Sequence, residues 1–133
     1  MDTELAVPPI IAIVDDDESV CIAVTSLVRS LGYEARSFGS AEDFLASPTR
    51  ADAACLISDV QMPGLGGLDL QRILVAEGSR LPIILVTAFP DAHVREAALH
   101  GGALCFLSKP FDGDVLIGCL ERAIGGAADN TLV

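Results

Sequence analysis

Five short apolar runs, each followed by a stretch of helical period, set the strongest limit on how this chain can fold. The runs are IIAIV (10–14), YEARSF (33–38), ACLIS (54–58), PIILV (82–86) and LCFLS (104–108). The first, third and fourth are apolar at consecutive positions, as strands buried on both faces of a parallel sheet are. The second alternates more and reads as an edge strand. Between the runs, Val20, Ala23, Val24, Leu27, Val28 and Leu31 recur at helical spacing before Gly32. Ser40 is placed to cap a short helix carrying Phe44 and Leu45. Leu68, Leu70, Ile73 and Leu74 mark a third helix, and Val94, Ala97 and Ala98 a fourth over 91–100, before Gly101. Val115, Leu116, Cys119 and Leu120 mark a last helix, which begins near Asp112 and ends at Gly125-Gly126. This alternation predicts an α/β fold, (βα)5, in one domain. Residues 125–133 read as a flexible C-terminal tail.

Composition narrows the function classes. A chain of 133 residues can bury one sizeable core. A hydrophobic fraction of 51% and a mean hydropathy of +0.52 exclude a disordered chain. No apolar run approaches the ~18 residues that span a bilayer. The opening MDTEL has none of the features of a signal peptide. The expectation is a soluble cytoplasmic protein with no membrane partner. Eight Lys and Arg against 19 Asp and Glu give a formal charge of −11, which repels nucleic acid phosphates. Four cysteines, at 21, 55, 105 and 119, form no CxxC and have no nearby His pair. That spacing argues against zinc and against a disulfide framework, and Cys21, Cys55 and Cys119 sit in apolar patterns as core residues.

The polar residues fall where the apolar runs end. Asp15, Asp16 and Asp17 follow the first run, Asp59 the third, Thr87 the fourth and Lys109 the fifth. Only the edge strand ends without a reactive group, in SFGS. Parallel α/β sheets bind ligands beyond the carboxyl ends of their strands, and right-handed crossovers bring these endings onto one rim. Two like charges ~5 Å apart at an effective dielectric of ~20 repel by about 3 kcal/mol. That is a large share of the ~5–15 kcal/mol by which a domain is stable. The aspartates therefore call for an offsetting cation, and hard oxygen ligands suit Mg²⁺. A cation, a hydroxyl donor and an ammonium suit a phosphoryl group, and an aspartate can attack phosphorus to form an acyl phosphate. Each residue also has a plainer reading. Asp16 or Asp17 fits a helix cap, Asp59 a turn former in SDVQMPG, Thr87 a structural strand end and Lys109 a surface lysine. Their joint placement at four strand ends is the argument for chemistry.

The segments IVDDDESV, ISDVQMPGLGGLDL, LVTAF and FLSKPF occur in this order, and the steps from Asp16 to Asp59, Thr87 and Lys109 are 43, 28 and 22 residues. Together they resemble the receiver domain of two-component response regulators, over residues 8–124. SFGSAEDFL and GALCFLSKPF are most similar to receivers joined to helix-turn-helix output domains, a segment these residues do not include. The resemblance implies a doubly wound, flavodoxin-like sheet of five parallel strands in the order 2-1-3-4-5. It implies that Asp59 is the phosphoacceptor. Mg²⁺ would be held by Asp15, Asp16, Asp59 and the backbone carbonyl of Gln61. Thr87 would be the switch hydroxyl, with the Ala88 backbone and Lys109 contacting the phosphoryl group and Phe106 the switch aromatic. Lys109-Pro110 takes the form usually associated with a cis peptide. Asp17 inherits no role and reads as a cap.

By the same resemblance the chain is a signalling module rather than an enzyme. It would take phosphate from a sensor histidine kinase or phosphotransfer protein and hydrolyse it slowly itself. The surface of the fourth helix, fifth strand and fifth helix would change, and a phosphorylation-dependent homodimer could form there. Gly66 departs from the family by standing where a small polar residue is common, which adds loop freedom. Cys105 stands where a polar residue is usual. Gln61 and Phe89 occupy positions that tune dephosphorylation. Two rival readings exist. Asp15-x-Asp17-x-Ser19 also resembles the first motif of haloacid-dehalogenase-type phosphatases, with Asp15 as nucleophile, Asp17 as general acid, and Thr87 and Lys109 in later motifs. That reading lacks a second acidic pair and leaves Asp59 unused. An adaptor that binds without phosphorylation would have no need of Asp16, Asp59, Thr87 and Lys109 together.

Overall fold

A computed structural model describes residues 7–132, and side chains through residue 125. Strands and helices alternate as β1 (Ile10–Val14), α1 (Glu18–Ser30), β2 (Glu34–Phe38), α2 (Ala41–Ala46), β3 (Cys55–Asp59), α3 (Gly67–Ala76), β4 (Ile83–Thr87), α4 (Ala92–His100), β5 (Cys105–Ser108) and α5 (Gly113–Leu132). A further helical turn, Thr49–Asp52, is one that no apolar period in the sequence predicts. It is started by Pro48 and by the Ser47 hydroxyl, which accepts the Thr49 N–H at 3.1 Å. The strands form one parallel sheet in the order β2-β1-β3-β4-β5. This is the doubly wound arrangement expected, with β2 at an edge. The order reverses between β1 and β3, which opens a crevice beyond their carboxyl ends.

Alternation along the central strands divides the core into two layers. Ile11, Ile13, Ile57 and Val86 face Val24 and Val28 of α1 and Leu116 and Leu120 of α5. Ala12, Val14, Leu56 and Leu85 face Phe44, Leu70, Leu74 and Ala98 of the other three helices. All four cysteines are buried free thiols in the first layer, Cys105 included. Burial pushes the Cys55 thiol up to about 12, which keeps it protonated as a small hydrophobe. Ala23, Ala97 and Val115 follow the helical spacing but are exposed, because the apolar stripe is wider than the contact the sheet offers.

The helix starts are set by local chemistry. Asp17 Oδ1 accepts the Ser19 N–H at 3.0 Å, Ser40 Oγ accepts that of Asp43 at 3.0 Å, and Asp91 Oδ1 that of His93 at 2.7 Å. Gly32, at φ 91°, ends α1 in the left-handed region that a side chain would resist. The glycine pair 125–126 does not end α5, which runs to Leu132. Gly125 is not among the described glycines with positive φ, so nothing in its backbone breaks the helix. Beyond Gly125, the expected flexible tail lies outside the residues whose side chains are described.

Candidate functional site

Asp59 and Thr87 are the last residues of β3 and β4, not the first residues beyond them. The ladder continues past both, since Val60 N–H donates to Val86 O at 2.8 Å and Lys109 N–H to Thr87 O at 2.7 Å. That pairing fixes the backbone of all three strand ends and places their side chains on one rim. Asp15 joins them because its N–H is held by Phe38 O of β2, at 3.1 Å. Each of Asp15, Asp16 and Asp59 then offers a carboxylate oxygen within 4.8 Å of the others.

Asp15 and Asp59 are buried, whereas Asp16 is exposed and closes the cluster from the solvent side. Lys109 Nζ lies 2.9 Å from Asp15 Oδ2 and 3.3 Å from Asp59 Oδ2, so one ammonium bridges two carboxylates. Burial draws the lysine's pKa down, but its hydrogen bond to Asp15 and the charges of Asp15 and Asp59 outweigh this, so the value is raised and the ammonium stays charged. For Asp59 the balance is opposite. Burial and the neighbouring Asp15 charge push its pKa up, and the lysine, which sits closer to Asp15, offsets only part of this.

Three carboxylates facing one ammonium leave excess negative charge in a partly desolvated place. The donor set is all oxygen and open on the Asp16 side, which fits a hard divalent cation that keeps some of its waters. Gln61, exposed in the loop after β3, donates its N–H toward Asp59 Oδ1 at 3.5 Å, so its peptide lies beside the cluster.

Thr87 is fully buried, and its Oγ1 accepts the Phe89 N–H at 3.1 Å. The hydroxyl is thus tied into the β4–α4 loop, next to Ala88. Phe106 lies on β5, half-buried, on the sheet face it shares with Leu85 and Thr87. The Lys109-Pro110 peptide is cis. The Asp17 carboxylate is not part of the cluster, although the Asp17 N–H donates to Asp15 Oδ1 at 2.9 Å. Both Ser19 groups, the N–H at 3.0 Å and the hydroxyl at 2.7 Å, donate to its Oδ1, and these bonds lower its pKa. Asp17 is thus engaged as the N-cap of α1, and its carboxylate is not in the cluster that the phosphatase reading needs it to join.

Two glycines prove more constrained than the sequence suggests. A β-carbon on Gly66 would sit 2.5 Å from Val60 O, and one on Gly67 would sit 2.4 Å from Asp59 O. Gly66 is therefore a point of close approach, correcting the expectation that it merely loosens the loop. Nothing in the sequence marks Gln71, a polar residue on α3. It is buried, and its Nε2 donates to Ala98 O of α4 at 2.9 Å.

The family model for the response regulator receiver domain matches residues 11–121. Response regulator protein TodT of Pseudomonas putida is 41% identical over 115 residues, covering 86% of this chain and 51% of its own length. Nodulation protein W of Bradyrhizobium diazoefficiens is 40% identical over 121 residues, covering 91% of this chain and 53% of its own. This chain thus spans about half the length of the curated relatives it matches. Among solved structures, FixJ-N superposes with a TM-score of 0.80 at 31% identity, covering 90% of this chain and 96% of that one. A response regulator receiver protein from Burkholderia phymatum does so with a TM-score of 0.76 at 41% identity, covering 88% and 95%.

Proposed function

This chain belongs to the response regulator receiver family, and on that premise we propose that Asp59 accepts a phosphoryl group from the phosphohistidine of a sensor histidine kinase or phosphotransfer protein. The observation that carries this reading is the bridge of Lys109 between Asp15 and Asp59, with Asp16 completing the carboxylate cluster. A carboxylate oxygen of Asp59 attacks phosphorus. The P–O bond forms as the P–N bond breaks, and the imidazole leaves with its electron pair and takes up a proton. Asp15, Asp16, Asp59 and the Gln61 carbonyl would hold Mg²⁺, which supplies charge neutralisation for the transferring oxygens. Lys109 is placed to follow the new charge from the carboxylate to the phosphoryl oxygens. The Thr87 hydroxyl and the Ala88 backbone are the nearby donors in the β4–α4 loop.

Partner docking has a surface beside the rim. A groove of about 600 Å³ lies between α1 and the cis Pro110 segment, lined by Val20, Ala23, Leu27, Pro110 and Phe111 and reaching Lys109. A helix presenting phosphohistidine to Asp59 would cover it, together with Ile22, which is 63% exposed. Phosphorylation then draws Thr87 toward the rim and lets Phe106 move inward. The surface of α4, β5 and α5 changes, favouring a homodimer or release of an output segment. In this reading the domain works in the cytoplasm, and its only unaided chemistry is slow loss of its own phosphate. Among the described residues no helix is long and apolar enough to cross a membrane.

Intact-mass spectrometry after brief exposure to acetyl phosphate and Mg²⁺ tests the assignment. Wild type should gain one phosphoryl group on the peptide containing ISDVQMPG. Asp59→Asn should gain none, because an amide is a far poorer nucleophile than a carboxylate. Asp15→Asn should label weakly, through poorer metal binding. An adduct that persists in Asp59→Asn and disappears in Asp15→Asn would overturn the proposal.

A further inference from the structure

The Arg95 guanidinium of α4 lies over the Phe106 ring, 6.0 Å from its centroid. Arg95 is exposed, and among the described residues it takes part in none of the ion pairs. The ring is its one side-chain partner there. A cation over an aromatic face is attracted by the ring's quadrupole. The contact also joins two lightly held parts, since Ala98 is the only buried residue of α4 and Phe106 sits on an edge strand.

The sheet register shows why this position matters. Leu85 pairs with Phe106 and Thr87 with Ser108, so Thr87 and Phe106 are diagonal neighbours on one face of adjacent strands. Thr87 fills its place completely, with its hydroxyl turned to the Phe89 N–H. Motion of that hydroxyl toward Asp59 would free space on the side where the ring stands. A ring that moves inward into that space moves away from the exposed guanidinium.

We propose that Arg95 is a positioning residue that holds Phe106 in its half-exposed place and thereby sets the unphosphorylated resting state. The inference rests on the reading of Asp59 as phosphoacceptor. A group that stabilises one of two states weakens any ligand of the other by the same factor. Removing the guanidinium should therefore strengthen phosphoryl binding at Asp59. Charge alone predicts the opposite, because loss of a cation disfavours an anion. The sign of the effect separates the two.

The test titrates beryllium fluoride, a phosphoryl mimic, into the full chain with saturating Mg²⁺, while NMR follows the Phe106 ring. In wild type the ring signals should move on saturation. In Arg95→Gln they should start part-way to the bound position, with an affinity about two- to fivefold higher, the size of an exposed cation–π contact. Arg95→Lys, which keeps a cation, should stay near wild type. In a Phe106→Leu background, Arg95→Gln should leave the affinity unmoved. A wild-type ring that responds while Arg95→Gln matches wild type in both readouts would overturn the proposal. So would an equal gain in the Phe106→Leu background, which would assign the effect to something other than the ring. A wild-type chain that binds no beryllium fluoride would overturn the phosphoacceptor reading, and this inference with it.

Discussion

Asp59 is a carboxylate held where ionisation is unfavourable, since burial and Asp15 outweigh its contact with Lys109. Its raised pKa means that the folded state keeps the proton more readily than the unfolded chain does. The stability linked to that proton is fully present below the ordinary carboxylate range and is lost as pH rises through the raised value. Asp59→Asn removes the titration. In metal-free buffer the variant should melt a few degrees above wild type at neutral pH, and the gap should close as pH falls below the ordinary carboxylate range. Thermal melts across pH in the presence of a chelator check this; a variant no more stable than wild type at neutral pH would mean that Lys109 compensates the charge in full. The glycine that follows the loop makes a second residue-scale case. Gly67→Ala would drive a β-carbon against Asp59 O and within 3.1 Å of the Leu85 side chain, so the end of β3 must shift. Denaturant unfolding should show a loss on the order of 1–3 kcal/mol. At Gly118 of α5 nothing lies within 4 Å of an added β-carbon. Gly118→Ala should instead stabilise, by about 0.5–1 kcal/mol.

Among the five numbered helices, α4 buries the fewest residues. Ala98 is its only buried residue, and the side-chain bond from Gln71 to Ala98 O ties it to α3. Amide exchange should therefore be faster in α4 than in α1, which buries Cys21, Val24 and Val28. Gln71→Ala should quicken exchange in α4 further and cost about 1–3 kcal/mol, while β1 keeps its protection. Exchange unchanged in α4 would leave Gln71 as filler only. This tie was not legible in the sequence. On α3 the stripe of Leu68, Leu70, Ile73 and Leu74 leaves position 71 among the polar residues, and its burial comes from the approach of α4. Strands, by contrast, were legible, because a run such as IIAIV carries its own burial pattern. The apolar runs stop one residue before the strands do at Asp59 and Thr87, since the ladder depends on backbone pairing and not on side-chain polarity. The site residues could be listed in order from the strand ends. Which carboxylate Lys109 sits closer to, and the placing of Arg95 over Phe106, are matters of side-chain conformation that spacing does not carry.

For the whole molecule, charge sets two effects that must be separated. A formal charge of −11 repels itself across the surface, and any salt relieves that by screening. The cluster of Asp15, Asp16 and Asp59 adds a local concentration of the same sign, which only an ion seated there relieves specifically. Mg²⁺ at millimolar concentration should raise the melting temperature beyond what NaCl achieves at equal ionic strength. At about 100 times the dissociation constant the specific part amounts to roughly 2.7 kcal/mol, because a ligand of the folded state at free concentration L stabilises by RT ln(1 + L/Kd). Asp16→Ala is the informative variant. Asp16 is exposed and has no part in the Lys109 bridge, so its loss should leave the fold and the screening response in place. It should, however, remove most of the Mg²⁺-specific gain. If NaCl and MgCl₂ at matched ionic strength raise the melting temperature equally, in wild type and in Asp16→Ala alike, the stabilisation belongs to screening of the net charge and the shared-metal site is wrong.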